Sequence, residues 1–407
     1  MNNNQNDKND KNNKNDNNDC KENINIKKLS SIFGKNIAEI EILKAEEKGL
    51  IPAGHPYRKG AIISKGWNLD QISPIGEIFG FLKKFERPLA VSVFTTKGGV
   101  LKTTLTLNLA RIAALHNIRT LIIGLDMQGD ITNALGHNEE FEESNDVNDI
   151  KEILAKINAT EGLADVFNRT IKVENVVYQT PIPTLCYIPE TPELAALNES
   201  LSNINRREYW LKEKIITPLK EFFDLIIMDC SPNWNRLITN ALVAQDVLIS
   251  PLECKINNFR NFKVFRHFLN EFKKDMDLKF NTIFVPTRYC NTKKLSIDIK
   301  SWYNKNLPSC TVNGIRESTY GEEASALKLS LIEHSPSKVV AQEMRDLFTE
   351  IFSKINNFVS AENFNNFNNF NAQEFNTYTD TCTSASTDMM SDKSNLDDEL
   401  NRVFYGH

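Results

Sequence analysis

Apolar residues in this chain gather in short, nearly unbroken runs, and each run stops at a polar or acidic residue. Leu89–Phe94, Thr120–Asp126, Phe223–Asp229, Asp246–Glu253 and Asn281–Thr287 all have this form. Runs that are apolar at nearly every position, without strict alternation, suit strands buried on both faces of a parallel sheet. Leu105–Leu115 and Asn257–Phe272 lie between them and have helical spacing; in the second, Phe259, Phe262, Phe265 and Phe268 face the core and leave Arg260, Lys263 and Arg266 as a basic stripe. Strand, helix and strand in alternation predict an α/β fold with a mostly parallel, doubly wound sheet over residues 88–355.

Ahead of this region the period changes. Ile26–Phe33 and Ile37–Lys48 carry apolar residues at helical spacing, with Gly34 available for a turn and Gly49-Leu50-Ile51-Pro52 as a helix stop. Leu69–Phe85 reads as a connecting helical segment broken by Pro74. Residues 26–87 are therefore expected to form a small helical module of their own.

Composition changes this picture mainly at the ends. Of 407 residues, 41% are hydrophobic, slightly few for a chain packed throughout. Residues 1–25 are almost wholly Asn, Asp and Lys and are expected to stay disordered, as is the Asn/Phe- and Ser/Thr-rich stretch in residues 356–407. Leu396–Phe404 could form one or two amphipathic turns, but it is acidic, and an interfacial anchor wants a basic helix, so no membrane attachment is expected. A polar start without a signal peptide points to the cytoplasm. The seven cysteines show no metal-type spacing and read as reduced thiols.

The chemistry is concentrated where the first strand ends. Lys97-Gly98-Gly99-Val100-Leu101-Lys102-Thr103-Thr104 places a glycine-bearing loop and Lys-Thr between a strand and a helix. Backbone N–H groups and a helix N-terminus there would face an anion, with Lys102 reaching terminal phosphates and the Thr103 hydroxyl on Mg²⁺. Thr96 and Leu101 stand where the general Walker A pattern has glycine. The loop instead resembles the deviant Walker A, K-G-G-x-G-K-[ST], of the ParA/MinD superfamily of P-loop ATPases. Leu101 departs even from that form, and its side chain could crowd a phosphate or force a less common backbone angle.

Two later stretches extend the resemblance. Asp126-Met127-Gln128-Gly129-Asp130-Ile131-Thr132 is similar to the family's D-x-Q-G-N-x-T, and Phe223–Pro232 to its Walker B segment. The likeness covers about residues 88–355. It implies ATP and Mg²⁺ as cofactors, Lys97, Lys102 and Asp126 as catalytic groups, and Thr103 with Asp229 at the metal. In the family Lys97 would cross a dimer interface to the partner's nucleotide, and Asp126 would orient the attacking water. The strand exit at Pro286 would lie by the adenine. The resemblance further implies an ATP-driven homodimer that binds nucleoid DNA without sequence preference. A ParB-type centromere-binding adaptor would stimulate slow hydrolysis, so that plasmid or chromosome is partitioned. Positioning of a protein cargo, or a nucleotide-switched DNA-binding regulator, are the alternatives.

Candidate DNA contacts are Lys293, Lys294, Lys300 and Arg316 in the C-terminal half, plus Arg58 and Lys59 in front. Residues 26–87 resemble a MerR-like winged helix-turn-helix, whose second helix enters the major groove while its wing touches phosphates. Here that helix carries Glu39 and Glu41 and no arginine to read bases. A small helical domain for dimerisation or partner docking is the other reading.

Overall fold

The computed structural model of the protein describes residues 23–34, 37–59, 62–137 and 160–383. It divides into two compact units, one reaching Ile355 and one starting at Asn356. In the first unit an eight-stranded sheet is formed by β4 (Leu89–Val93), β5 (Thr120–Leu125), β6 (Tyr178–Gln179), β7 (Leu185–Ile188), β8 (Leu225–Cys230), β9 (Val247–Glu253), β10 (Asn281–Tyr289) and β11 (Ile315–Arg316). Its order is β11-β10-β9-β4-β8-β5-β7-β6. All pairs are parallel except β6 with β7 at one edge.

β4, β5, β8 and β9 are buried at every position, which explains their near-continuous apolar runs. β4 is central, and the chain leaves it toward β5 and later returns through β8 and β9 on either side. A crevice forms at such a switch point beyond the carboxyl ends of the strands. The helix Lys102–Leu115 (α4 below) runs back from that crevice, and twelve of its fourteen residues are buried.

The small elements in front are β1 (Ile24–Asn25), α1 (Ile26–Phe33), α2 (Glu39–Glu47), and a hairpin of β2 (His55–Lys59) with β3 (Ile62–Trp67). β1 completes a three-stranded antiparallel sheet by pairing with β3. The polar tail expected through residue 25 therefore ends sooner: Ile24 is buried opposite Trp67, and the Asn25 side chain accepts the Lys28 N–H at 2.8 Å, capping α1.

Pro74 does not break the following helix, α3 (Ile72–Phe79). It sits in the first turn, where its missing N–H has no partner to lose, and the helix stops at Gly80 instead. At the chain's far end, the helix Val339–Thr383 carries on into the Asn- and Phe-rich stretch expected to be unstructured. Residues 396–404 lie outside the described residues.

The front elements are fastened to the sheet domain by polar contacts. The Arg345 guanidinium donates to the carbonyls of Ile32 at 3.2 Å and Ser31 at 2.5 Å, satisfying the open end of α1. His116, just past α4, is packed edge-on against Phe33 and Phe81. Its Nδ1 donates to the Ile112 carbonyl at 2.7 Å, leaving Nε2 to accept the Phe81 N–H at 3.0 Å.

Burial lowers the His116 pKa to about 4 from an ordinary 6.5. The unfolded chain binds a proton in that window and the folded chain refuses it. Stability should thus be complete above about 6.5 and fall by roughly 3 kcal/mol as the pH drops to 4. Urea unfolding across this range should show the slope in wild type and a shallower one in His116→Gln. Equal slopes would locate the acid sensitivity elsewhere.

Candidate functional site

The loop after β4 is shaped by two left-handed residues, Gly99 at φ 70° and Leu101 at φ 69°. A Cβ on Gly98 or Gly99 would meet nothing within 4 Å, so the loop's outer side is open. Lys97 and both glycines are exposed, whereas Val100 is buried and pins the loop underneath. The departure at Leu101 is now physical, since a branched side chain occupies a conformation that glycine adopts without cost. Relief of roughly 1–2 kcal/mol of left-handed strain should exceed the ~1 kcal/mol entropic cost of glycine. Leu101→Gly is therefore expected to raise the melting temperature slightly; a lower one would show that the buried part of the leucine side chain outweighs the strain.

α4 begins at Lys102 with its free N–H groups directed at the loop. The Lys102 side chain is buried, and its Nζ donates to the Lys97 carbonyl at 3.1 Å. Burial lowers its pKa, while Asp229 and Asp126 pull it back up. Asp229 lies near the end of β8, level with Val93 on one side and Gly124 on the other. Its two carboxylate oxygens accept hydrogen bonds from the hydroxyls of Thr103 and Thr106, each at 2.8 Å. Burial raises the Asp229 pKa to about 6 against those hydrogen bonds and Lys102.

Thr103 and Asp229 thus meet at the mouth of the loop, with hard oxygen donors suited to Mg²⁺. Among the described residues, no three His, Cys, Asp or Glu side chains gather at metal-binding range. An ion here would take its remaining ligands from water and phosphate, as Mg²⁺ does. Asp126 follows β5, and its carboxylate accepts the Gln128 N–H at 3.2 Å.

A cleft of about 790 Å³ opens beside the loop, lined by Leu101, Thr104, Arg288, Ile315, Arg316 and Leu331 among others. Its volume falls in the range of small-molecule pockets. Pro286 does not line it. That residue is buried in β10 opposite Leu252, with its carbonyl packed on Gly314. Arg288, two residues further, reaches the cleft instead. It adopts φ 50°, donates to the Gly99 carbonyl at 3.0 Å and pairs with Glu317 at 3.3 Å.

Of the candidate DNA contacts, Arg316 faces this cleft, ion-paired with Glu343. Lys293 and Lys294 are exposed at the start of the helix Lys294–Asn306, and the Lys300 Nζ rests 4.0 Å from the Tyr289 ring centre. Arg58 is exposed on β2, and Lys59 ends that strand. α2 exposes Ile40 and Leu43 beside Glu39 and Glu41. On the helix Ile256–Asp275, Phe262 and Phe265 are core residues as expected, Phe259 is half-buried, and Phe268 is 60% exposed. Phe268, Val264 and Trp234 flank Lys97 around a second hollow of about 300 Å³.

Sequence reasoning missed Glu190, just after β7. Its carboxyl accepts from the backbone N–H of Asp126 at 3.4 Å and of Thr132 at 3.3 Å. Burial first, then the charges of Asp229 and Asp126, raise its pKa to about 8. The one signal in the sequence was the glycine at position 124 inside an otherwise bulky strand.

The family described as "AAA domain" matches residues 89–282. The "Chromosome partitioning protein ParA" of Myxococcus xanthus is 28% identical over 197 residues, 48% of this chain and 63% of that protein. The "Sporulation initiation inhibitor protein Soj" of Bacillus subtilis is 29% identical over 165 residues, 40% of this chain and 58% of that one. The chain thus spans less than two thirds of the length of either. A solved "putative plasmid partition protein" from Borrelia burgdorferi bound to AMPPNP superposes with a TM-score of 0.53 at 19% identity, covering 66% of this chain and 100% of that one, and shares the fold. Among the described residues no helix is long and apolar enough to cross a membrane. With a deviant Walker A loop on the central strand of a parallel sheet, an aspartate just past the end of β5 and another near the end of β8, and these relatives, the chain is similar to the ParA/MinD superfamily of P-loop proteins over its sheet domain.

Proposed function

We propose that the protein is a Mg²⁺-dependent ATPase that partitions DNA, forming a dimer on ATP and binding DNA in that state. The observation that supports this best is the meeting of Lys102, Thr103 and Asp229 at one loop mouth, in a chain whose relatives are named for partition. Thr103 and Asp229 would hold Mg²⁺, which when bound neutralises developing charge on the phosphoryl oxygens. Lys102 places a buried cation at the terminal phosphates, and α4 directs its N-terminal N–H groups at them. Asp126 holds the attacking water. Lys97 has an exposed side chain at the rim, in position to reach a second copy's nucleotide, and the apolar groups around it suit burial against that copy.

DNA contact is assigned to Lys293 and Lys294, which are exposed, and to Arg58 and Lys59 on the front hairpin. A ParB-type adaptor would speed release. The test is light scattering and calorimetry on the full chain with ATP and Mg²⁺, followed by titration with random-sequence duplex. Doubling of mass on ATP, with DNA retained only in that state, is expected. A folded protein that gives no heat with ATP and Mg²⁺ would overturn the proposal.

A further inference from the structure

We infer that Glu190 is the positioning residue for the segment Asp126–Thr132, fixing the Asp126 carboxylate beside the phosphate site. The short helix Asp130–Ala134 starts after Gly129, which has no side chain to cap it. Glu190 supplies that cap from a distant part of the chain. One of its oxygens accepts both the N–H and the hydroxyl of Thr132 at 3.3 Å, and the other accepts the Asp126 N–H at 3.4 Å. The Glu190 N–H in turn donates to the Thr132 hydroxyl at 2.7 Å. A single carboxyl therefore holds both ends of the turn that carries Asp126. Room for it is made by Gly124, where the three nearest atoms to an added Cβ all belong to Glu190 and stand too close for one to fit. Gly124 has no positive φ, so alanine there is opposed by Glu190 and not by the backbone.

The inference rests on the ATPase reading for its effect on turnover, and on geometry alone for its effect on the turn. Glu190→Ala should lower kcat about tenfold while KM for ATP moves less than about threefold, because orientation and not binding is lost. Gly124→Ala should displace the Glu190 side chain and give the same split. The double variant should be no worse than Glu190→Ala, since the clash has been removed. Glu190→Gln, which keeps the shape and one acceptor oxygen, should retain most of the turnover. Amide exchange in Asp126–Thr132 should quicken in Glu190→Ala and Gly124→Ala, with the β4 amides unchanged. Wild-type kcat in Glu190→Ala, additive losses in the double variant, or unaltered exchange in the turn would each overturn the inference. Wild-type protein without turnover would count against the ATPase reading alone, because the exchange measurement still reads Glu190.

Discussion

Lys102→Ala should abolish the ATP-dependent dimer and cut hydrolysis by at least about 100-fold. The ammonium is buried, and among the described residues its hydrogen bond goes to the Lys97 carbonyl and no salt bridge competes for it, so it is held ready for an anion. Burial lowers its pKa, and the charges of Asp229 and Asp126 act against that. Alanine removes the charge that a triphosphate needs and leaves two carboxylates facing the place where it would lie, so binding changes from attraction to repulsion. Light scattering with and without ATP and Mg²⁺, alongside phosphate release, reads both effects. A dimer fraction equal to wild type would refute the assignment of this loop. Circular dichroism would separate the result from unfolding.

The second large effect falls on stability. Arg111, on the buried face of α4, makes a two-pronged pair with Glu333 at 2.7 and 2.8 Å, and both side chains are under a tenth exposed. Glu333 also accepts the Ser330 N–H at 3.0 Å, closing a capping box on the helix Leu331–His334, and Leu331 belongs to the cleft wall. Arg111→Met leaves a buried carboxylate with no cation, which costs about 3–5 kcal/mol. For a domain of this size that is a drop of roughly 10 °C in melting temperature. Adding Glu333→Gln removes the stranded charge and keeps an acceptor for Ser330, so about half of the loss should return. Chemical denaturation of the single and double variants measures this. If the single variant were as stable as wild type, the pair would be solvated and not buried.

The fold was legible in the sequence to the extent that its elements are local. Leu89–Phe94 reads as a strand because burial on both sheet faces favours an apolar residue at nearly every position, and β4 spans Leu89–Val93 as that predicts. The phosphate loop was legible for a related reason, since its chemistry is carried by eight consecutive residues. Pro74 was misjudged because its effect depends on its place in the helix. In the first turn a proline fits, and only the three-dimensional start of α3 reveals that it is there. Pro286 was placed by resemblance at a strand exit, but β10 continues to Tyr289, and it is Arg288 that emerges into the cleft.

By itself, then, the sequence determined the sheet's five long strands but not the short β6 and β7, together with the loop that joins β4 to α4 and the acids at the carboxyl ends of β5 and β8, because each is written in neighbouring residues under one period. Only the tertiary structure decided what surrounds them. Glu190 meets Asp126 across 64 positions, and Arg111 meets Glu333 across 222. Neither pair leaves a local pattern, because a carboxyl's partner is set by the path of the chain through space. The strain at Leu101 is of the same kind: the letter is in the sequence, but the left-handed angle it must adopt is imposed by the closure of the loop onto α4.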